Sequence, residues 1–262
     1  LALPAWPALA QLKNQDDPKE QERWLLVRNS LFAGRAIEAD GDAVAKLEVP
    51  ARAIDAALMP LAIRVPFAQT PERHVQMLWL VIDNNPSPLS SVFTFGPASG
   101  RADIATRVRV DEYSFVRVIS QTNDGKLHAS ARFVKASGGC SAPPGKDAAA
   151  AAATLGQVHL SLIEPARANQ FVEVQLAVSH PNDSGFAIDQ LTRQQVPPHF
   201  VRRVEVSYGG QPVFAADVDF SISENPNFRF FIRPQRDGEL IARVSDSKEK
   251  NFEGRLMVKL AG

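Results

Sequence analysis

Cys140 is the only cysteine in a chain of 262 residues, and it stands in KASGGCSAPPG, residues 135–145. A cysteine acts as a nucleophile or a point of conjugation through its thiolate, whose ordinary pKa is about 8.5. The residues around it suit presentation rather than core packing. Gly138 and Gly139 carry no side chain, so the segment can enter a narrow channel and adopt backbone angles closed to other residues. Ser141 and Ala142 keep the other side slim, and Pro143-Pro144 stiffens the exit. Fully extended, the stretch from Lys135 to Cys140 reaches roughly 17 Å. Gly138, Gly139 and Ser141 therefore read as a flexible, solvated arm that offers the Cys140 thiol to another protein's site. Lys135 and Lys146 are the nearest cations in sequence. An exposed free thiol is ordinarily selected against, which argues that this one has a use.

The remaining chemistry-bearing residues are scattered. A thiol hydrolase needs a base near its cysteine, yet none of the five histidines, His74, His128, His159, His180 and His199, has a local signature with Cys140. No HExxH, CxxC or paired-histidine spacing marks a metal site. No glycine-rich loop follows a strand and opens a helix, so no nucleotide site is expected. The sequence thus offers no catalytic constellation, no cofactor site and no metal ligand set. A thiol redox enzyme would ordinarily supply a neighbouring resolving thiol, and there is none. His180 and His199 flank a polar stretch running from SHPNDSGF (179–186) to QQVPPHF (194–200). It reads as a long connection between strands or as a docking surface.

Lys and Arg number 29, as do Asp and Glu, so the formal net charge is zero. That argues against a nucleic-acid partner, which needs clustered positive charge. No apolar run approaches the roughly 18 residues of a membrane span. One cysteine makes no internal disulfide, so the cysteine count does not fix a redox compartment. The chain starts at Leu1, and LALPAWPALA followed by Gln11 reads either as the end of a signal region with a small-x-small site at Ala8-Leu9-Ala10 or as a proline-punctuated tail. Both fit an exported protein.

The elements that must position Cys140 are strands. After the tail, DDPKEQERWLLVRNSLF predicts a short helix capped by Asp17, with Pro18 in its first turn and Trp24, Val27, Arg28 and Leu31 at helical spacing. From there the period is two. LHASARF (127–133) places Leu127, Ala129, Ala131 and Phe133 on one face and His128, Ser130 and Arg132 on the other. IATRVRV (104–110) opposes Ile104, Val108 and Val110 to Arg107 and Arg109. QMLWLVID (76–83) reads as a buried central strand. Asn123-Asp124-Gly125 predicts a hairpin. In the second half QVHLSLI, FVEVQLAV, VEVSY, VDFSI (218–222), FRFFIR, LIARV and LMVKL continue the pattern. The expected fold is all-β: two immunoglobulin-like antiparallel β-sandwich domains, 18–135 and 156–262. A tail (1–17) precedes them and a Gly/Pro/Ala-rich linker (136–155) bearing Cys140 joins them. Its run of six alanines is too short to hold a helix in water without packing.

At this level the sequence resembles a known family. LMPLAIRVPF, LVIDNNPSPLSSVFTFGP, IATRVRV, NDGKLHASARFVK and SGGC resemble SoxY, the sulfur-carrying subunit of the periplasmic thiosulfate-oxidising system. QFVEVQLAVSHPNDSG, VPPHFVRRVEVSYGGQPVFAADV, SISENPNFRFFI and DGELIARVSD resemble SoxZ. The order matches the fused SoxYZ-like group associated with quinoprotein dehydrogenases. The resemblance implies that both halves are immunoglobulin-like and that the thiol of a GGCGG tail carries sulfur intermediates. That role maps onto Cys140, with Gly138 and Gly139 before it. Ser141 and Ala142 replace the two following glycines, and the chain runs on into the second domain, so the arm must enter a partner as a bent hairpin. The implied partners are periplasmic redox enzymes, either sulfur-oxidising or of the quinoprotein dehydrogenase and cytochrome c type. The fusion favours pairing of the two domains within one chain. A second reading is a non-covalent docking module for a quinoprotein dehydrogenase, with Cys140 dispensable.

Overall fold

The structure is a computed structural model and describes residues 22–96, 98–143, 153–189 and 192–261. Two compact units are distinguished, 1–34 and 35–262. The first contains helix α1 (Glu22–Phe32). It ends where Ala33 (φ 45) and Gly34 (φ 77) turn into the left-handed region. Asp17 and Pro18, the expected start of this helix, lie outside the described residues.

The second unit is built from strands, as the period-two patterning expects. The first half supplies β1 (Ile37–Glu38), β2 (Lys46–Glu48), β3 (Met59–Arg64), β4 (Val75–Ile82), β5 (Leu89–Phe95), β6 (Ile104–Val108), β7 (Ser114–Thr122) and β8 (Leu127–Val134). The second supplies β9 (Val158–Leu162), β10 (Val172–Val178), β11 (Val201–Tyr208), β12 (Gln211–Val218), β13 (Asn227–Ile232), β14 (Gly238–Asp246) and β15 (Asn251–Val258). They form two sheets, ordered β1-β8-β7-β4-β5-β12-β11-β14-β15 and β2-β3-β6-β13-β10-β9. All pairings between these strands are antiparallel except β1 with β8. The predicted hairpin is present, with Gly125 at φ 82 between β7 and β8.

Each half contributes to both sheets, as a sandwich does, and both sheets run across the boundary between halves. In one sheet β5 pairs with β12 from Phe95↔Phe214 to Ser91↔Val218, and in the other β6 meets β13 at Ala105↔Arg229. Inside this seam Phe93 packs edge-on against Phe228 at 6.4 Å, and Phe214 against Phe230 at 4.7 Å. These four rings are buried in one apolar cluster that draws on both halves. Removing so much aromatic surface from water, together with pairing two strand edges, holds the halves as one body.

Three expectations from patterning are corrected. VDFSI is not a strand of its own. β12 ends at Val218, and Asp219 accepts the Ser221 amide on its side chain (2.7 Å), turning the chain. In β8 the polar face is the buried one near its start: His128 and Ser130 are buried while Phe133 is exposed and leans on Phe115. The reason is a turn at Gly41–Ala43 lying across this strand, so close that a Cβ on Gly41 would meet the Ala129 backbone at 2.0 Å. It brings Asp40 to His128 Nδ1 (2.7 Å) and Asp42 to the Ser130 hydroxyl (2.6 Å). Buried polar groups are tolerated when they are partnered in this way. Finally, Arg109 does not face solvent beside Arg107; it is buried.

Candidate functional site

Past the end of β6, residues 109–111 pass beneath the segment that carries Cys140. Gly138 N–H donates to Asp111 O (2.7 Å), Gly139 N–H to Val110 O (3.0 Å), and Cys140 N–H to Asp111 Oδ1 (3.2 Å). From the second half, the Ser184 hydroxyl donates to the carbonyl of Cys140. The two glycines make this seat possible. Gly138 sits at φ 77, and a Cβ on Gly139 would fall 2.2 Å from Ala56 O and 2.6 Å from Val110 O. Ser141 closes a small turn, its hydroxyl donating to Gly138 O (3.4 Å).

Cys140 is therefore not solvated as its neighbours in sequence suggest. It is 1% exposed. Burial pushes its thiol pKa up to about 12, and the charges of Asp111 and Asp219 act in the same direction, against a smaller opposing pull from Arg109. In this seat the group is a neutral thiol. Lys135 is exposed, and Lys146 lies outside the described residues, as does most of the alanine run. The cation at the seat is Arg109.

Asn85, Asn182 and the Asp219 turn fix the surroundings. Asn85 Nδ2 donates to Arg109 O (2.8 Å) and Ser221 Oγ (3.1 Å), while its Oδ1 accepts from the Asp111 amide (2.9 Å). Arg109 N–H donates to Ser221 O (2.7 Å). Asn182 bridges the long loop to the rest of the second half, donating to Ile222 O (2.6 Å) and accepting from the Val201 amide (2.8 Å). Burial raises the pKa of Asp219 to about 6 and raises that of Asp183 as well. Sequence reading did not find Arg109, Asp111, Asn182 or Ser184. They are spread over some 75 positions; the alternation of β6 assigned Arg109 to the wrong face, and Asn182 and Ser184 fall within the polar stretch 179–186 that read as a strand connection or docking surface.

The same loop folds His180 and His199 together, with ring centroids 4.5 Å apart, over the Asp246 carboxylate at the end of β14. His199 Nε2 lies 2.7 Å from Asp246 Oδ2 and His180 Nε2 lies 3.5 Å from it, and all three residues are buried. Three such donor atoms within 4.8 Å of one another have the spacing of a metal site. The wiring opposes it. The Asn182 amide donates to His180 Nδ1 (3.0 Å), so in the neutral ring Nε2 carries the proton and has no lone pair for a metal. His199 is hydrogen-bonded to Asp246 and His180, through Nδ1, to the Asn182 backbone N–H, while His180 Nε2 faces the carboxylate without a hydrogen bond; the three brace the loop. Burial and the neighbouring His199 lower the pKa of His180 to about 4. Burial alone would raise Asp246, but bonds from His199 and from the amides of Lys250 and Lys248 outweigh it and hold the carboxylate low.

Fold and site together define a chain whose two sandwich halves bracket one buried thiol. Residues 28–140 match the family model of the sulfur oxidation protein SoxY, and residues 162–256 that of the sulphur oxidation protein SoxZ. Among solved structures, the sulfur carrier protein SoxY from Chlorobium limicola f thiosulfatophilum is 18% identical with a TM-score of 0.35, over 43% of this chain and 94% of that one. A superoxide reductase (neelaredoxin) variant from Ignicoccus hospitalis is 15% identical with a TM-score of 0.33, over 36% of this chain and 81% of that one. Scores this low carry no argument about function. A search of curated proteins returns no match. The two family matches, in order, are decisive: the chain belongs to the SoxY and SoxZ families, joined as a fused SoxYZ-like protein of the sulfur-oxidation carrier group. Sulfur-oxidation enzymes are the partners that family implies, and among the described residues no helix is long and apolar enough to cross a membrane.

Proposed function

We propose that this is an exported, periplasmic carrier, without a catalytic constellation of its own, that holds a sulfur-containing intermediate covalently on Cys140. In this reading the SoxY-like half (18–135) and the SoxZ-like half (156–262) form the body, and residues 136–155 the arm. The observation that carries it is that the SoxY match ends on the chain's one thiol, flanked by Gly138 and Gly139. The seat adds a condition. A thiol with pKa about 12 is almost wholly protonated at neutral pH, so Cys140 reacts after residues 138–141 leave the seat and its pKa returns toward 8.5. Unseating breaks the four hydrogen bonds to Asp111, Val110 and Ser184 and the long one from Arg109, and leaves the sheets intact. The released thiolate then attacks an electrophilic sulfur and partner enzymes process the adduct. These include sulfur-oxidising enzymes or a quinoprotein dehydrogenase and cytochrome c system.

The test is the intact mass of protein purified from its native host without reductant, repeated after reduction. Reducible mass on the Cys140 peptide, in steps of one sulfur or of a sulfonate, supports carriage, and Cys140→Ala abolishes it in a folded protein. The burial of the thiol also favours a second reading, a docking module with Cys140 not essential. Beside the seat, Phe186 and Ile188 are exposed on the loop that holds Ser184, an apolar pair suited to contact with another protein. A clean thiol while the partner system is active, with full function in Cys140→Ser, selects that reading.

A further inference from the structure

Arg109 is 6% exposed, and its guanidinium has poor company for a buried cation. Nη1 donates to Gly139 O at 3.4 Å and Nη2 to Asn182 O at 3.3 Å, both long. Nε is buried with no hydrogen-bond partner. Among the described residues no carboxylate lies within 4 Å of it; Glu224, Asp183 and Asp55 act on it only from farther away. Burial accordingly pulls its pKa down. A buried charge is ordinarily paired, and leaving one without an anion is costly. The neighbouring Cys140 is a neutral thiol in this seat and supplies no negative charge.

We infer that Arg109 is an anion-recognition residue for the loaded carrier, binding the charged end of a sulfur-linked anionic adduct on Cys140. This rests on Cys140 being the attachment point. Burial, with Asp111 and Asp219, disfavours negative charge on Sγ itself and outweighs the pull of Arg109, so the adduct that fits carries its charge beyond the sulfur, as a terminal sulfonate does. Binding it satisfies the free Nε with a charge-assisted hydrogen bond and cancels the unpaired cation. The loaded arm is then held in its seat more firmly than an arm bearing a neutral group. Carriage of anionic cargo is protected between enzymes.

The test compares two adducts of the full-length chain that differ in charge. With tetrathionate, the Cys140 thiolate, its proton released to solvent, attacks a central sulfur. A new Sγ–S bond forms, the central S–S bond breaks, and thiosulfate leaves with the electron pair, giving Cys140–S–S–SO3−. With methyl methanethiosulfonate the sulfinate leaves instead and the adduct is the neutral Cys140–S–S–CH3. Intact mass establishes complete loading, and hydrogen exchange is read at the amides of Gly138, Gly139 and Cys140. In the wild type these exchange about tenfold more slowly with the anionic adduct than with the neutral one, the factor one charge-assisted hydrogen bond supplies. In Arg109→Gln the ratio falls to one, and Arg109→Lys keeps part of it. Equal exchange in the two loaded wild-type forms overturns the role of Arg109 and needs no variant to fold. A native protein that takes up neither reagent, while the unfolded chain takes up both, overturns the attachment reading and this inference with it.

Discussion

Gly139→Ala tests whether the seat governs the thiol. An alanine Cβ there would lie 2.2 Å from Ala56 O and 2.6 Å from Val110 O, both backbone atoms that cannot swing aside. The arm must leave, and its hydrogen bonds to Asp111, Val110 and Ser184 go with it. At about 1 kcal/mol net for each bond, the seat is worth roughly 4 kcal/mol, so the wild-type thiol is open about one part in a thousand. The thiol's own titration gives a similar figure. A rise from 9.0 to about 12 corresponds to about 4 kcal/mol against ionising in place. Iodoacetamide alkylation at pH 7.5, followed by intact mass, therefore runs about a thousandfold slower in the wild type than in the unfolded chain. In Gly139→Ala it comes within about tenfold of the unfolded rate, while circular dichroism of the sheets is unchanged. Wild-type alkylation as fast as the unfolded chain would refute the seat. A Gly139→Ala rate no higher than wild type would show that something other than these contacts protects the sulfur.

Three further outcomes follow from groups around the seat and the seam. Asp219 has a folded pKa of about 6, above its ordinary 3.8, so its burial costs nothing below pH 3.8 and the full penalty above pH 6. Asp219→Asn should raise stability by about 3 kcal/mol at pH 7, with the gain vanishing by pH 3.8 in urea titrations. His180 has a folded pKa of about 4, below its ordinary 6.5, so the wild type loses up to about 3 kcal/mol as pH falls through that window. Tm followed from pH 7 to pH 4 should drop less in His180→Gln. Phe228→Ala empties the meeting point of Phe93 and Phe214 across the seam, and should cost about 3–5 kcal/mol in denaturant unfolding.

Much of the strand pattern was legible in the sequence because burial on a sheet repeats every second residue, and β3, β6, β10 and β13 show that repeat directly. Where patterning failed, a distant segment had changed what a face meets. The Gly41–Ala43 turn partners His128 and Ser130, so their polarity no longer signals solvent. Arg109 is the sharper case, since alternation treats an arginine as exposed, whereas here two loops close over it.

The sequence by itself determined the one thiol, the glycines before it and the two-part order that marks the fused SoxYZ-like chain. Those are local or linear properties, fixed by residue identity and spacing. Tertiary structure alone decided that the halves share both sheets, that His180 and His199 meet over Asp246, and that Cys140 is seated beside an unpaired guanidinium. Each of these depends on contacts between segments far apart in the chain. Burial then sets the chemistry, because removing a group from water shifts its pKa by amounts that no neighbouring residue in the sequence announces.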